Sequence, residues 1–197
     1  MNKEIAFFDF DGTITSKDTM LVFLRFLAGD IRYTFNMLLL TPVFVGLKSG
    51  LLSNQRAKEI MLKLFLGGTK ESDLDAACLQ FSRDVLPDII RAKAIDCIRD
   101  HQHRGAEVVV VSAAPEYWVR SWCAQQGISL LATRLAVLDG RITGKIDGLN
   151  CHGEEKVRRI KEVYQLNQFN TVYAYGDTSG DKPMLALATH ASYKPFR

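Results

Sequence analysis

Short apolar runs at four places along the chain predict β-strands. They cover residues 5–10, 107–111, 171–175 and, more briefly, 191–193. The first three runs end in acidic, glycine or serine residues, which is typical of a strand that gives way to a loop. Residues 130–146 differ, because two alternating runs lie on either side of Asp139 and Gly140. That pattern predicts a β-hairpin with a tight turn.

Helical patterns separate the predicted strands. They cover residues 87–102, 115–126, 153–165 and 182–188. Strands that alternate with helices predict a parallel sheet with crossover helices, and so an α/β protein. Residues 18–84 interrupt the alternation, because they show no strand pattern and predict several helices in succession. We therefore expect a sheet-containing core in residues 1–15 and 86–197, with a helical cap inserted at residues 16–85.

Composition and charge narrow the possibilities only slightly. The chain has 197 residues, of which 47% are hydrophobic and 24% charged, as in ordinary globular proteins. Its net charge of +3 is too small to indicate a nucleic-acid partner. The four cysteines form no C-x-x-C pair, which indicates neither zinc nor a disulfide framework and favours a reduced, cytoplasmic setting. The longest uncharged run, residues 33–47, is shorter than the roughly 20 residues that span a bilayer.

Candidate chemistry lies where the predicted strands end, which is the edge of a parallel sheet that binds ligands. Asp9 and Asp11 lie at the end of the first strand. Two carboxylates at one strand end repel each other and favour a hard cation such as Mg²⁺ nearby. A carboxylate can also attack phosphorus and form an aspartyl phosphate. An ordinary acidic turn after a strand explains these two residues equally well.

Three further positions have a chemical and a structural interpretation. Asp177 and Asp181 follow the third strand, where they could bind a metal or cap the next helix. Ser112 ends the second strand and could bind an anion together with the backbone N–H groups that follow it, or it could cap a helix. Lys156 lies in a first helical turn, which suits a lysine poorly unless it reaches a phosphate. The ordinary interpretation of this residue is a solvated lysine.

Taken together, the order and separation of these motifs resemble the haloacid dehalogenase-like phosphatase superfamily over nearly the whole chain. The resemblance implies a Rossmann-like parallel sheet core with an inserted helical cap, as in the phosphoserine-phosphatase-like branch. The second acid, Asp11, implies phosphoryl transfer rather than carbon–halogen chemistry. The sequence Gly-Asp-x-x-x-Asp-x-Pro-Met-Leu from Gly176 onward is similar to bacterial members that include phosphatidylglycerophosphatases of the C type.

The resemblance also implies a role for each motif residue. Asp9 corresponds to the nucleophile, and Asp11 to the general acid and base. Mg²⁺ is expected on Asp9, on the backbone carbonyl of Asp11 and on Asp177, with Asp181 acting on the metal through water. The residues expected to bind the substrate phosphate are Thr13, Ser112, Ala113 and Lys156.

The predicted cap is apolar and basic at once. Residues 37–40 and 43–45 are apolar and lie between Arg32 and Lys48, and residues 21–70 have a net charge of +5. This combination favours an anionic membrane surface, and with it a phosphorylated lipid substrate such as phosphatidylglycerol phosphate. Alternatively, the apolar residues form the core of the cap, and the substrate is a small soluble phosphomonoester such as phosphoserine. The same sequence is also compatible with a phosphotransferase or with a non-catalytic membrane-surface module. The lipid hypothesis expects a cytoplasmic protein at the inner membrane face.

Histidine and tryptophan residues outside these motifs carry weaker signals. His101 and His103 lie near a predicted helix end, where we expect both to be solvated. Trp118 and Trp122 are one helical turn apart and are expected to pack in the core. His152, four residues before Lys156, could approach the site.

Overall fold

The centre of the fold is a six-stranded sheet in the order β4-β3-β2-β1-β5-β6, seen in a computed structural model that describes residues 3–197. Only the β3–β4 pair is antiparallel, and the other neighbours are parallel. The strands are β1 (Glu4–Phe8), β2 (Glu107–Pro115), β3 (Ser129–Leu138), β4 (Arg141–Asp147), β5 (Thr171–Gly176) and β6 (His190–Tyr193). This arrangement confirms the predicted α/β class with a mostly parallel sheet.

Strand β1 lies in the middle of the sheet because its side chains are apolar on both faces. Ile5 and Phe7 pack into a hydrophobic cluster on one face, while Ala6 and Phe8 belong to a larger cluster on the other. All four are fully buried. Since β2 and β5 are the parallel neighbours of β1, the carboxyl ends of three strands meet at one edge.

Five α-helices lie between residues 19 and 84, in agreement with the helical pattern of residues 18–84. They are α1 (Thr19–Ala28), α2 (Asp30–Leu39), α3 (Thr41–Lys48), α4 (Asn54–Leu66) and α5 (Glu71–Asp84). Their buried side chains, such as Phe23 and Leu62, belong to the same hydrophobic cluster as Phe8 of the sheet. The division of the chain into a cap and a core therefore stays a prediction. No helix within residues 3–197 is long and apolar enough to cross a membrane.

The helices that cover the sheet begin and end close to the predicted positions, with two differences. They are α6 (Ala92–His103), α7 (Glu116–Gln126), α8 (Glu154–Val163) and α9 (Lys182–Leu185). Helix α9 is shorter than predicted, and the helix predicted from residue 87 begins only at Ala92. Ile90 is extended there and forms an antiparallel bridge with Thr15. The chain that returns from α5 is thus tied to the loop that follows β1.

The predicted hairpin is confirmed as β3 and β4. Asp139 and Gly140 both have positive φ angles, 49° and 69°, as a tight hairpin turn requires. Gly144 of β4 lies directly against the backbone of Lys63 in α4, where no Cβ atom would fit. This close approach fixes α4, which forms a wall of the cavity described below.

The structure tests the predicted burial of Trp118 and Trp122 and the predicted exposure of His101. Trp118 and Trp122 are 0% and 5% exposed, which confirms that they pack in the core. The prediction that His101 is solvated is wrong, because it is only 1% exposed. Its ring lies between the Tyr175 hydroxyl and the Arg104 guanidinium, each 2.8 Å from a ring nitrogen.

Candidate active site

The acidic loop after β1 begins at the middle of the sheet edge. The Asp9 N–H donates to the Tyr175 carbonyl at 2.9 Å, which continues the β1–β5 ladder by one residue. The chain then turns sharply, and Gly12 takes a φ of +81° that side chains rarely adopt. The Asp9 carboxylate is left just beyond the end of the strand, 5% exposed.

Lys156 is a buried cation between two carboxylates. Its ammonium lies 2.6 Å from Asp9 Oδ1 and 2.7 Å from Asp181 Oδ1, and the side chain is 1% exposed. The ordinary interpretation as a solvated lysine is therefore wrong. Lys156 lies in the first turn of helix α8, and its side chain points back toward the carboxyl ends of the strands.

Thr13 and Asp181 order the remaining acidic groups. The Thr13 hydroxyl is 3.3 Å from Asp9 Oδ2 and 3.3 Å from Asp177 Oδ1, and its single proton serves one of them at a time. Asp181 Oδ2 accepts from the N–H groups of Asp177 and Thr178 and from the Thr178 hydroxyl. Both oxygens of Asp181 thus accept hydrogen bonds, Oδ1 from Lys156 and Oδ2 from the loop at Asp177 and Thr178.

Burial and charge move the pKa values of these groups in different directions. Burial raises the pKa of Asp9 to about 6, although the Lys156 ammonium opposes the rise. For Asp181, burial alone would raise the pKa, but the charge and hydrogen bond of Lys156 hold it below its usual value. Burial likewise works against the charge of Lys156, and the two carboxylates outweigh it and raise the lysine pKa. The cluster is therefore held together by charge that solvent does not screen.

A divalent cation fits the acidic cluster. Within residues 3–197, oxygen atoms of Asp9, Asp177 and Asp181 lie within 4.8 Å of one another, and carboxylate oxygens suit hard cations. Gly12 has no side chain to displace the Asp177 carboxylate, since a Cβ there would lie 2.5 Å from Oδ2. Each of the three carboxylates already accepts hydrogen bonds through both of its oxygens, so the assignment of Asp9 and Asp177 as direct ligands, with Asp181 acting through water, stays a prediction.

The Asp11 carboxylate points away from this cluster, toward the start of α1. Its Oδ1 accepts from the Thr19 N–H at 2.8 Å and from the Thr19 hydroxyl at 2.6 Å. The same hydroxyl accepts from the indole N–H of Trp118 at 3.1 Å. Burial and the nearby Asp18 raise the pKa of Asp11 to about 7. Asp11 can therefore hold a proton near neutral pH.

The end of β2 supplies a third side of the site. Ser112 is fully buried, and its hydroxyl oxygen accepts from the Ala114 N–H at 3.0 Å. The Ala113 carbonyl accepts from the Lys58 ammonium at 2.9 Å and from the Thr133 hydroxyl at 2.8 Å. Lys58 comes from α4 and also donates to Asn150, so it links the helices after β1 to the sheet.

A cavity of about 380 Å³ opens in front of these groups. Its polar lining includes Asp9, Asp11, Asp18, Lys58, Ser112, His152, Lys156 and Asp181. Its apolar wall is formed by Met20 and Leu21 of α1, Phe44 and Leu47 of α3, and Met61 of α4. The cavity therefore joins a charged floor to an apolar wall.

All the residues predicted for the site lie at one sheet edge. Asp9, Thr13, Lys156, Asp177 and Asp181 are in mutual contact, whereas Asp11, Ser112 and Ala113 line the same cavity. Their individual roles stay predictions. The sequence reasoning missed Thr19, Lys58, Thr133 and Asn150, and also Arg197, whose guanidinium donates to Asp177 Oδ2 at 2.5 Å.

Sequence comparison finds relatives along almost the whole chain. It is 38% identical over 192 residues to protein CicA of Caulobacter vibrioides, covering 96% of this chain and 85% of CicA. It is 31% identical over 193 residues to a probable phosphatase of Mycobacterium tuberculosis, covering 95% of this chain and 67% of that protein.

Structure comparison finds the same fold in solved proteins. A protein of unknown function from Bordetella pertussis superposes with a TM-score of 0.85 at 27% identity, covering 97% of this chain and 89% of that one. A phosphoserine phosphatase superposes with a TM-score of 0.69 at 22% identity, covering 97% and 86%. The family model described as haloacid dehalogenase-like hydrolase matches residues 6–186, and the chain belongs to that family.

Proposed function

We propose that this protein is a Mg²⁺-dependent phosphomonoester hydrolase that forms a phosphoaspartate on Asp9. The observation that carries the proposal is the buried Asp9 carboxylate, held 2.6 Å from the Lys156 ammonium at the floor of a cavity. Family membership and similarity to a probable phosphatase support it. So does similarity in fold to a phosphoserine phosphatase solved with an analogue of its phosphoaspartyl intermediate.

The reaction would be two in-line displacements at phosphorus. An Asp9 oxygen attacks, the bond from phosphorus to the leaving oxygen breaks, and Asp11 gives that oxygen its proton. Asp11 then takes a proton from water, which attacks the phosphoaspartate and releases phosphate from Asp9. With a pKa of about 7, Asp11 can both donate and accept a proton near neutral pH, as the two steps require.

Charge stabilisation would come from fixed groups around the phosphoryl oxygens. Lys156, already oriented by Asp9 and Asp181, would donate to one of them, and the Ser112 hydroxyl and nearby backbone would hold another. Mg²⁺, when bound by Asp9, Asp177 and the Asp11 carbonyl, would supply further positive charge. Because these groups are buried and fixed before substrate arrives, little reorganisation is needed during the reaction.

The leaving group would lie against the cavity wall. The five apolar side chains from α1, α3 and α4 favour a leaving group with an apolar part, as in a phosphorylated lipid such as phosphatidylglycerol phosphate. A small phosphomonoester is the second candidate, because Asp18 and Lys58 also line the cavity and could pair with the ammonium and carboxylate of phosphoserine. The same residues would serve a phosphotransferase, with an alcohol as acceptor in place of water.

Phosphate release by the purified protein tests the proposal. The substrates would be a chromogenic phosphomonoester, phosphoserine and phosphatidylglycerol phosphate, each with and without Mg²⁺. Asp9→Asn keeps the shape of the side chain, and Asp100→Asn, on the exposed side of α6, is the matched control. We expect turnover that needs Mg²⁺ and Asp9 but not Asp100. Full activity of Asp9→Asn would exclude the phosphoaspartate, and the preferred substrate would separate the lipid from the small phosphomonoester.

A further inference from the structure

Helices α2 and α3 leave a set of large apolar side chains in solvent. Ile31, Phe35, Leu38, Leu39 and Val45 are 90%, 61%, 67%, 54% and 63% exposed. Single exposed apolar residues are ordinary, but a group of this size on adjacent helices indicates a binding surface. These five residues are called the α2–α3 apolar face below.

The stripe on α2 faces away from the protein. Ile31, Phe35, Leu38 and Leu39 follow the spacing of one helical face, which in a globular protein normally packs on the core. Here Tyr33 and Met37 pack against the core instead, and Asn36 is the buried residue of the helix. Helix α2 is therefore apolar on the side that its own fold does not use. The apolar residues 37–40 were predicted to lie either on a membrane or in the core. They are divided in the structure, because Leu38 and Leu39 are exposed whereas Leu40 is buried.

The charges beside this face are basic and unneutralised. Arg32 and Lys48 are exposed, and neither forms an ion pair within residues 3–197. The one acid on α2, Asp30, is paired with Arg25. An exposed apolar face with uncompensated basic residues is complementary to an anionic lipid surface. A second copy of the chain would bring the same positive charges to both sides of the contact, which is unfavourable.

The face also lies beside the candidate active site. Phe44 and Leu47 line the cavity from one side of α3, while Val45 is exposed on the other side of the same helix. A surface that covered Val45 would thus lie next to the apolar wall of the cavity.

We propose that the α2–α3 apolar face docks on the surface of an anionic lipid bilayer. Its side chains enter the boundary between headgroups and acyl chains, and Arg32 and Lys48 contact the lipid phosphates. The consequence for substrate, which rests on the proposed function, is that a phosphorylated lipid reaches the cavity from the bilayer with its apolar part along α3.

Vesicle flotation of the full chain tests the docking without any need for activity. The vesicles would be phosphatidylcholine alone or phosphatidylcholine with phosphatidylglycerol, at low and at high salt. We expect wild-type protein to float with the anionic vesicles, and the double variant Phe35→Glu with Leu38→Glu to bind less by on the order of tenfold or more. The double variant Leu79→Glu with Leu138→Glu changes two equally exposed leucines, on α5 and β3, and should float like the wild type.

Three results would overturn the proposal. They are wild-type protein that does not float, a control variant that loses binding as fully as the test variant, and a solution dimer that Phe35→Glu and Leu38→Glu dissociate. Hydrolysis of a soluble chromogenic phosphomonoester by the test variant would show that its fold is intact. Wild-type protein that floats without releasing phosphate from any substrate would refute the proposed function and leave the docking in place.

Discussion

Gly12 and Asp177 approach so closely that a Cβ atom on residue 12 would lie 2.5 Å from Asp177 Oδ2. The loop after β1 therefore packs directly against the Asp177 carboxylate, which follows β5, and there is room for only the hydrogen atoms of a glycine between them. Gly12 also has a φ of +81°. The position thus excludes side chains for two independent reasons, backbone conformation and space.

The first prediction separates these two reasons. Gly12→Ala should abolish phosphate release, because the new methyl group displaces Asp177 from its place in the acidic cluster. The positive φ alone should cost about 1–2 kcal/mol of folding free energy. Gly105→Ala is the matched control, since Gly105 has a φ of +75° with no atom within 4 Å of its Cβ position. Gly105→Ala should lose only the stability due to backbone conformation, whereas Gly12→Ala should lose more in denaturant unfolding because of the clash with Asp177, and only Gly12→Ala should lose activity. Equal activity of the two variants would contradict the prediction.

The second prediction concerns the charge of Lys156. Lys156→Met keeps most of the side-chain volume and leaves Asp9 and Asp181 without their shared cation. Without Mg²⁺, we expect a loss of roughly 3–5 kcal/mol of folding free energy, as for other broken buried ion pairs. The loss should be smaller at pH 5 than at pH 8, since protonation of Asp9 relieves the repulsion. Lys161→Met, on the exposed side of the same helix, should unfold like the wild type, and similar unfolding of both variants would refute the prediction.

The convergence of Asp9, Ser112 and Asp177 could be predicted because it depends on local patterns. Each residue ends a short apolar run, and the carboxyl ends of parallel strands meet at one edge of a sheet. His101 was predictable in principle, because Ala94, Ile98 and His101 lie on one face of α6 and all three are buried. His101 continues the apolar face of the helix, but a hydrophobic pattern treats histidine as polar and therefore ends that face at Ile98.

Several contacts that the sequence did not predict join distant segments. Lys58 reaches the Ala113 carbonyl across 55 positions of the chain, and its direction depends on how α4 packs on β4. The bridge between Thr15 and Ile90, which delays the start of α6, likewise has no local signal. Periodicity predicts which face of a helix is apolar, but it does not specify which element covers that face.

The third prediction concerns the link from Asp11 to Trp118 through Thr19. Thr19→Val keeps the shape of the side chain but leaves the buried Trp118 N–H without an acceptor, which should cost about 1–3 kcal/mol of folding free energy. Asp11 would also keep only one of its two hydrogen bonds to residue 19, so kcat should fall. Thr19→Ser retains the hydroxyl and is the control. Denaturant unfolding and steady-state kinetics would measure both effects, and a valine variant as stable and active as the serine variant would exclude this role.

The fourth prediction is a pH dependence of stability that comes from His101. Burial and the Arg104 guanidinium lower the pKa of His101, while Asp100 and Glu4 oppose them weakly. Arg104 donates to Nδ1, so the neutral ring carries its proton on Nε2 and donates to Tyr175. Below a pH of about 6.5 the unfolded chain takes up a proton that the folded protein excludes. The contribution of His101 to the free energy of unfolding should therefore decrease as the pH falls from 7 to 5, by up to about 1.4 kcal/mol per pH unit. The raised pKa values of Asp9 and Asp11 act in the opposite direction, so the contribution of His101 is the difference between the wild type and a His101 variant.

Denaturant unfolding at pH 7 and pH 5 measures this contribution. His101→Gln can still accept from Arg104 and donate to Tyr175, but it does not titrate, so on acidification from pH 7 to pH 5 it should lose less stability than the wild type. His103→Gln removes an exposed histidine two residues away and should keep the wild-type dependence. If His101→Gln and wild type lost equal stability on acidification, His101 would not be the group responsible.

The fifth prediction concerns competition between Arg197 and a metal ion. The guanidinium of Arg197 bonds Asp177 Oδ2 at 2.5 Å, and its side chain is half exposed. A cation that binds Asp177 must displace this bond or accept a positive charge beside it, so Arg197→Ala should bind Mg²⁺ more tightly. Because pairs with an exposed partner contribute up to ~1 kcal/mol, the gain in affinity should be about two- to fivefold. Titration calorimetry without substrate would measure it, with Lys182→Ala as a control that removes an exposed charge near Asp181. Weaker Mg²⁺ binding by Arg197→Ala would show instead that Arg197 holds Asp177 in position for the metal.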